Sequence, residues 1–184
     1  EQGGLETVEL EVTLTAGKRL VPRELGKDYR PEYLIVGGLV LVIAGVPLAQ
    51  QLEAKGCYGP RQQAVISAEQ EADECDDEEA QAVIVSDCLA HELNVSYGMF
   101  DGHRLKEING ATVRNLAQAA ALLRAAIDAR EPFLTLAFHK SKQRAVFETA
   151  ALLSATPTIL EQHRIPSWTS LPLELPLELA PAAK

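Results

Sequence analysis

The chain has 184 residues, 47% of them apolar, a formal net charge of −9 and a pI near 5.0. That is enough length and apolar content for one good-sized domain with extensions. The acidic balance argues against a nucleic-acid platform, which needs clustered Lys and Arg against phosphate.

Residues 7–15, TVELEVTLT, set Val8, Leu10, Val12 and Leu14 against Glu9, Glu11 and Thr13 and predict a half-buried strand. Residues 16–32 carry Gly17, Pro22, Gly26 and Pro31 and predict a linker. A lone strand before a linker fits the last strand of a preceding domain. YLIVGGLVLVI at 33–43 predicts a buried strand interrupted by Gly37-Gly38, and Pro47–Lys55 a short helix ended by Gly56. Residues 57–80 predict a mobile excursion. Eight carboxylates stand between Glu69 and Glu79, and such a block repels itself and stays solvated.

QAVIVSDCL at 81–89 predicts a strand, and HELNVSYGMFDG at 91–102 a turn-rich connection. LKEI at 105–108 alternates, with Leu105 and Glu107 on one face and Lys106 and Ile108 on the other. Asn109-Gly110 tolerates positive φ and ends that strand. Asn115 is placed to cap a helix running to about Ala129, with Leu116, Ala119, Ala120, Leu123 and Ile127 at helical spacing. Residues 132–138 and 144–148 predict a hairpin. A last helix is expected from Thr156-Pro157, with Thr as cap and Pro at the first helical position, to about His163. The tail LPLELPLELAPAAK is too rich in proline for regular pairing.

The fold class expected is mainly β with helices (α+β): a small, partly open antiparallel barrel capped by two helices. No serine sits on a nucleophile turn, most of the four histidines fall in loops or near helix ends, and no catalytic triad emerges. Cys57, Cys75 and Cys88 form no C-x-x-C pair, which argues for inert thiols in a reducing compartment. No short-spaced His or Cys pair suggests a metal, nothing calls for a cofactor, and no apolar run reaches the roughly 18 residues of a membrane span.

The glycine pair is the chemical lead. Successive N–H groups there can form a concavity that suits a carboxylate. The strand beyond could pair with an extended peptide, with the 115–129 helix as the opposite wall. The candidate binding residues are Val36, Gly37, Gly38, Leu39, Val40 and Leu41, and the candidate wall is Leu116, Ala119, Ala120 and Leu123. The alternative is a bulge where two backbones approach.

The segments PEYLIVGGLV (31–40), AVIVSDCLAHELNVSYGMF (82–100), LKEINGATVRNL (105–116) and ILEQHRIPS (159–167), in that order, resemble the PDZ domains of Deg/HtrA proteases. More narrowly, they are similar to the C-terminal PDZ-like domain of plant and algal members with two PDZ domains. The resemblance implies that residues 1–22 close a preceding PDZ domain and its linker. It gives 23–168 to a PDZ-like domain with an acidic insertion at 68–80, and leaves 169–184 as a disordered Pro-rich tail. It departs from the family pattern at Leu41, where an aromatic is usual, and at Ser96, where a Gly is usual.

By the same resemblance the parent protein is an ATP-independent serine endopeptidase of protein quality control, with its catalytic domain outside these residues. This chain would then be a non-catalytic regulatory, oligomerising and protein-docking region. Its partners would be C-terminal or unfolded peptide segments and other PDZ domains, in a mitochondrion, chloroplast or nucleus. A free-standing PDZ-like scaffold or adaptor without protease activity is the alternative.

Overall fold

The structure, a computed structural model, describes residues 20–21, 30–46, 48, 50, 59–71 and 80–172. The strand expected at 7–15, most of the 16–32 linker, the helix beyond Gln50, Cys57, Cys75, residues 72–79 and the tail from 173 lie outside them.

Two antiparallel sheets form the frame. In the first, β1 (Tyr33–Val36) and β2 (Leu39–Ile43) pair as a hairpin, from Tyr33 opposite Val42 to Val36 opposite Leu39. Gly37 and Gly38 are its turn, with φ of 56° and 90°. Both positions need the left-handed half of φ space, which glycine enters without a Cβ penalty. So 33–43 is two strands folded back at the glycines, where the sequence predicts one strand interrupted. β3 (Val83–Cys88) takes the other edge of β2, giving the order β1-β2-β3.

The second sheet has the order β5-β4-β6-β7, with β4 (Leu105–Ile108), β5 (Ala111–Thr112), β6 (Phe133–Phe138) and β7 (Arg144–Glu148). The 132–148 hairpin falls where the sequence puts it. The faces of β4 do not. Leu105 and Ile108 are both buried, because the register slips between Leu105 and Glu107. A bulge adds one residue and turns the next side chain over. Bonds from Val85 N–H to the His103 carbonyl (3.0 Å) and from Gly102 N–H to the Val85 carbonyl (2.9 Å) stitch β3 to the approach of β4. The two sheets thus meet along one seam and stay open elsewhere.

Among the described residues three α-helices can be bounded at both ends, α1 (Pro60–Glu71), α2 (Leu116–Asp128) and α3 (Thr149–Gln162), and they complete the α+β fold. The Asn115 side chain accepts from Gln118 N–H at 2.8 Å and starts α2 as expected. Its buried stripe is Leu116, Ala119, Ala120, Leu123, Ala126 and Ile127. Each large member contributes about 1.5–3 kcal/mol by leaving water. Arg130, at φ 56°, ends the helix. The Glu131 N–H reaches the Ala126 carbonyl and the Arg130 N–H the Ile127 carbonyl, the paired bonds of a left-handed stop.

Two helices depart from expectation. Residues 60–71, given by sequence to a mobile excursion, are helical. Val65 and Ala68 bury against Leu20, Val21, Ala44, Ala82 and Ile84, a small core apart from the main one. Glu69 and Glu71, the start of the acidic run, therefore belong to a helix. And α3 begins at Thr149, with Pro157 inside it. Thr156 is not its cap. The Thr156 hydroxyl donates back to the Leu152 carbonyl at 2.7 Å, a mid-helix habit of threonine.

Candidate functional site

The structure brings the candidate residues together, as packing. Val36, Gly37, Gly38, Leu39 and Leu41 are buried and Val40 is half-buried. Leu116, Ala119, Ala120 and Leu123 are buried against them, in one cluster with Leu34, Leu39 and Leu41. The helix does lie alongside the strand, but the space between them is filled by side chains. Both edges of β2 are taken, one by β1 and one by β3.

The glycine turn is packed closely by residues from two other parts of the chain. A Cβ on Gly37 would run into the Phe147 ring. One on Gly38 would meet the Asn94 amide and come within 2.7 Å of the Leu89 carbonyl oxygen. Asn94 is 4% exposed, and every part of its amide has a partner. Its Nδ2 donates to the carbonyls of Gly37 (2.8 Å) and Leu89 (2.7 Å), and its Oδ1 accepts from His91 N–H (3.1 Å). The Leu89 N–H closes the ring by donating to the Gly38 carbonyl at 2.8 Å. His91 braces Asn94 in turn: its Nδ1 accepts from Leu93 N–H at 3.1 Å, which puts the ring proton of a neutral imidazole on Nε2.

The sequence reading missed this latch, although its residues stand in the quoted segment HELN (91–94). The available signal was the polar Asn94 among turn residues, because an amide supplies two donors and an acceptor to a backbone crossing.

Tyr97 fixes the second support. Its ring packs edge-on against Phe147 at 5.1 Å and lies 5.8 Å from Phe100. Its hydroxyl donates to the Val146 carbonyl (2.8 Å) and accepts from Val146 N–H (3.1 Å). One phenol thus occupies a residue's worth of the outer edge of β7. Ser96, just before it, sits at φ 77°, which gives a physical reason for glycine to be usual there.

The outer edge of β1 is occupied too. Ile35 N–H donates to the Trp168 carbonyl at 2.7 Å, Thr169 bridges Leu34, and Ser170 exchanges bonds with the Tyr33 backbone. Trp168 anchors this segment in the core at 5% exposure. Residues 169–172, which the sequence assigned to a disordered tail, therefore begin as a strand-like clasp.

Cys88 is half-buried. Burial pushes its thiol up, and the charges of Asp87 and Asp101 push it further, so it is a poor nucleophile at neutral pH. The Glu107 carboxyl is held below the usual range by its hydrogen bond and ion pair with Lys106 at 2.7 Å. Among the described residues no cluster of three His, Cys, Asp or Glu side chains could hold a metal ion, and no helix is long and apolar enough to cross a membrane.

The family model described as "PDZ domain" matches residues 21–171. "Protease Do-like 2, chloroplastic" of Arabidopsis thaliana is 29% identical over 170 residues, covering 91% of this chain. The match covers only 26% of that relative, so the chain spans about a quarter of its length. Two open antiparallel sheets, a glycine turn against a capped helix and these matches agree: the chain belongs to the PDZ domain family, with a PDZ domain of the Deg/HtrA protease type.

Proposed function

We propose that this region is the non-catalytic docking, regulatory and assembly part of an ATP-independent Deg/HtrA serine endoprotease of organellar protein quality control. Bond cleavage would belong to a domain outside these residues. The docking role follows from the PDZ fold, whose members bind peptides or proteins. The chloroplastic relative supports the organellar setting.

One observation shapes the reading. The glycine turn is present but latched by Asn94 and Phe147, and the strand beyond it has no open edge. Phe147 and Asn94 leave little space beside Gly37-Gly38 for a C-terminal carboxylate. The region therefore engages its partners, other PDZ domains among them, through its outer surfaces, and binds free C-termini weakly at the turn. Titrating the chain with a pool of C-terminal peptides tests this. Dissociation constants weaker than about 1 µM are expected, and binding tighter than that, about −8 kcal/mol, would reject the closed turn. Light scattering on the chain and on its full-length parent tests assembly. Strictly monomeric behaviour in both would remove the oligomerising role.

A further inference from the structure

The outer face of the second sheet is open to solvent at its β6–β7 end. Residues opposite each other in the register share a face. Three rows therefore cross β6 and β7 on the side away from the core: Phe133 with Glu148, Thr135 with Val146, and Ala137 with Arg144. The residues between them, Leu134, Leu136, Ala145 and Phe147, are buried on the other side.

Two of the large apolar side chains that stand exposed lie on this face, Phe133 at 55% and Val146 at 45%. They are diagonal neighbours, about 7–8 Å apart. Val95 and Met99, also exposed, stand two residues either side of Tyr97, whose phenol is bonded to the Val146 backbone, so apolar surface continues at the β7 edge. An open concavity of about 470 Å³ lies between Phe133, Thr135 and Arg144, with Asn109 and Glu131 also in its lining. The face thus has room for side chains that meet it.

Charge and size along the rows are reciprocal. Along β7 the outward residues read cation, apolar, anion: Arg144, Val146, Glu148. Along β6 they read small, polar, bulky: Ala137, Thr135, Phe133. Arg144 and Glu148 are about 13 Å apart along the strand, and among the described residues neither has an ion-pair partner. Glu107, opposite Ala137 on β4, feels the Arg144 charge, but its ion pair is with Lys106.

A second copy turned over about an axis across the strands, at the Thr135–Val146 row, meets every row with its complement. Arg144 faces the second copy's Glu148, Phe133 faces its Ala137, and Val146 faces its Val146. Such a contact uses the same patch twice and closes after two copies. This match of the face to itself favours a second copy over an unrelated partner.

We propose that this face closes a two-fold dimer of the domain, with Val146 at the axis and an Arg144–Glu148 ion pair on either side of it. The inference gives a surface to the assembly role proposed above and rests on that reading.

Sedimentation velocity on the 184-residue chain over a concentration series is the test. A monomer–dimer equilibrium is expected, weak because the patch is small. Val146→Glu sets like charges together at the axis and should abolish the dimer. Arg144→Glu and Glu148→Arg should each weaken it about 10-fold or more, since each sets like charges together twice. Mixing those two variants should restore association, because each offers the charges the other needs. Ile66→Ser, at an exposed apolar residue of α1 outside this face, should change nothing. Thermal melts check folding, and the two charge variants, both at exposed positions, carry the test if Val146→Glu does not fold. A chain that stays monomeric throughout would overturn the proposal. So would a dimer indifferent to these substitutions, an equal loss from Ile66→Ser, or a mixture no tighter than its parts. A dimer indifferent to this face would leave the assembly role standing, whereas a full-length parent that is monomeric as well would remove both.

Discussion

Two turns in this molecule share one backbone signature and differ in everything around it. Gly37-Gly38 joins β1 to β2 with φ of 56° and 90°, and Asn109-Gly110 joins β4 to β5 with φ of 48° and 81°. Both are two-residue hairpin turns that need positive φ twice. The first is buried under Phe147 and Asn94, whereas a Cβ on Gly110 would meet nothing within 4 Å. A glycine turn is therefore not by itself a receptor for anything. Its surroundings decide whether it is a lip, a loop tip or a sealed crossing.

The sharpest way to break this comparison is to put the same side chain at both turns. Gly110→Val should cost about 1–2 kcal/mol, the strain of a left-handed residue alone. Gly38→Val adds collision with the Asn94 amide and the Leu89 backbone, and should cost more than about 3 kcal/mol or prevent folding. Urea unfolding of both variants decides it. Equal losses would mean that the first turn is as open as the second.

The asparagines at the two turns sharpen the point. Asn94→Ala leaves the Gly37 and Leu89 carbonyls and the His91 N–H without their buried partner, and about 2–4 kcal/mol is expected to be lost. Asn109 also bonds the backbone, accepting from Thr135 N–H at 2.7 Å and donating to the Phe133 carbonyl at 3.2 Å. It does so in water, and Asn109→Ala should cost about 1 kcal/mol. If Asn94→Ala instead leaves stability intact and opens tight binding of C-terminal peptides, the amide is a removable gate.

Tyr97→Phe comes next in size. It removes the hydroxyl shared by the Val146 N–H and carbonyl at an exposed edge, and should cost about 0.5–1.5 kcal/mol. Hydrogen exchange should quicken at the Val146 amide far more than at Leu134, whose place in the sheet interior does not depend on that phenol. Uniform quickening would show that the ring packing on Phe147, and not the hydroxyl bond, had been disturbed.

How much of this was legible in sequence depends on how local the cause was. The helix α2 could be placed because Asn115 and an unbroken apolar stripe specify it within its own residues. The 133–148 hairpin is legible for the same reason. The start of α3 was not, since Thr156-Pro157 has the local form of a helix start and only the tertiary burial of Leu152 and Leu153 carries the helix through it. α1 escaped notice because Val65 and Ala68 are its only buried anchors among side chains that can be described, too few to draw a stripe. The candidate site was found as a neighbourhood, Gly37-Gly38 beside α2. Its closure was hidden, because Asn94 and Phe147 arrive from 57 and 110 positions further along the chain.

The smallest predicted effect has the opposite sign. Ser96 and Arg130 both hold left-handed backbone, at φ of 77° and 56°, and neither residue gains from it. Ser96 makes no side-chain cap bond to the turn it opens. At Arg130 the helix-stop bonds are made by backbone alone, so glycine would keep them. Ser96→Gly and Arg130→Gly should each raise stability by about 0.5–1 kcal/mol, less whatever the freer unfolded chain takes back. Ser96 lies beside the Tyr97 support of the buried turn and Arg130 beside exposed backbone. A gain at Arg130 with a loss at Ser96 would mean that the serine does something for the latch that its backbone angle does not reveal, and thermal melts of the two single variants would separate these outcomes.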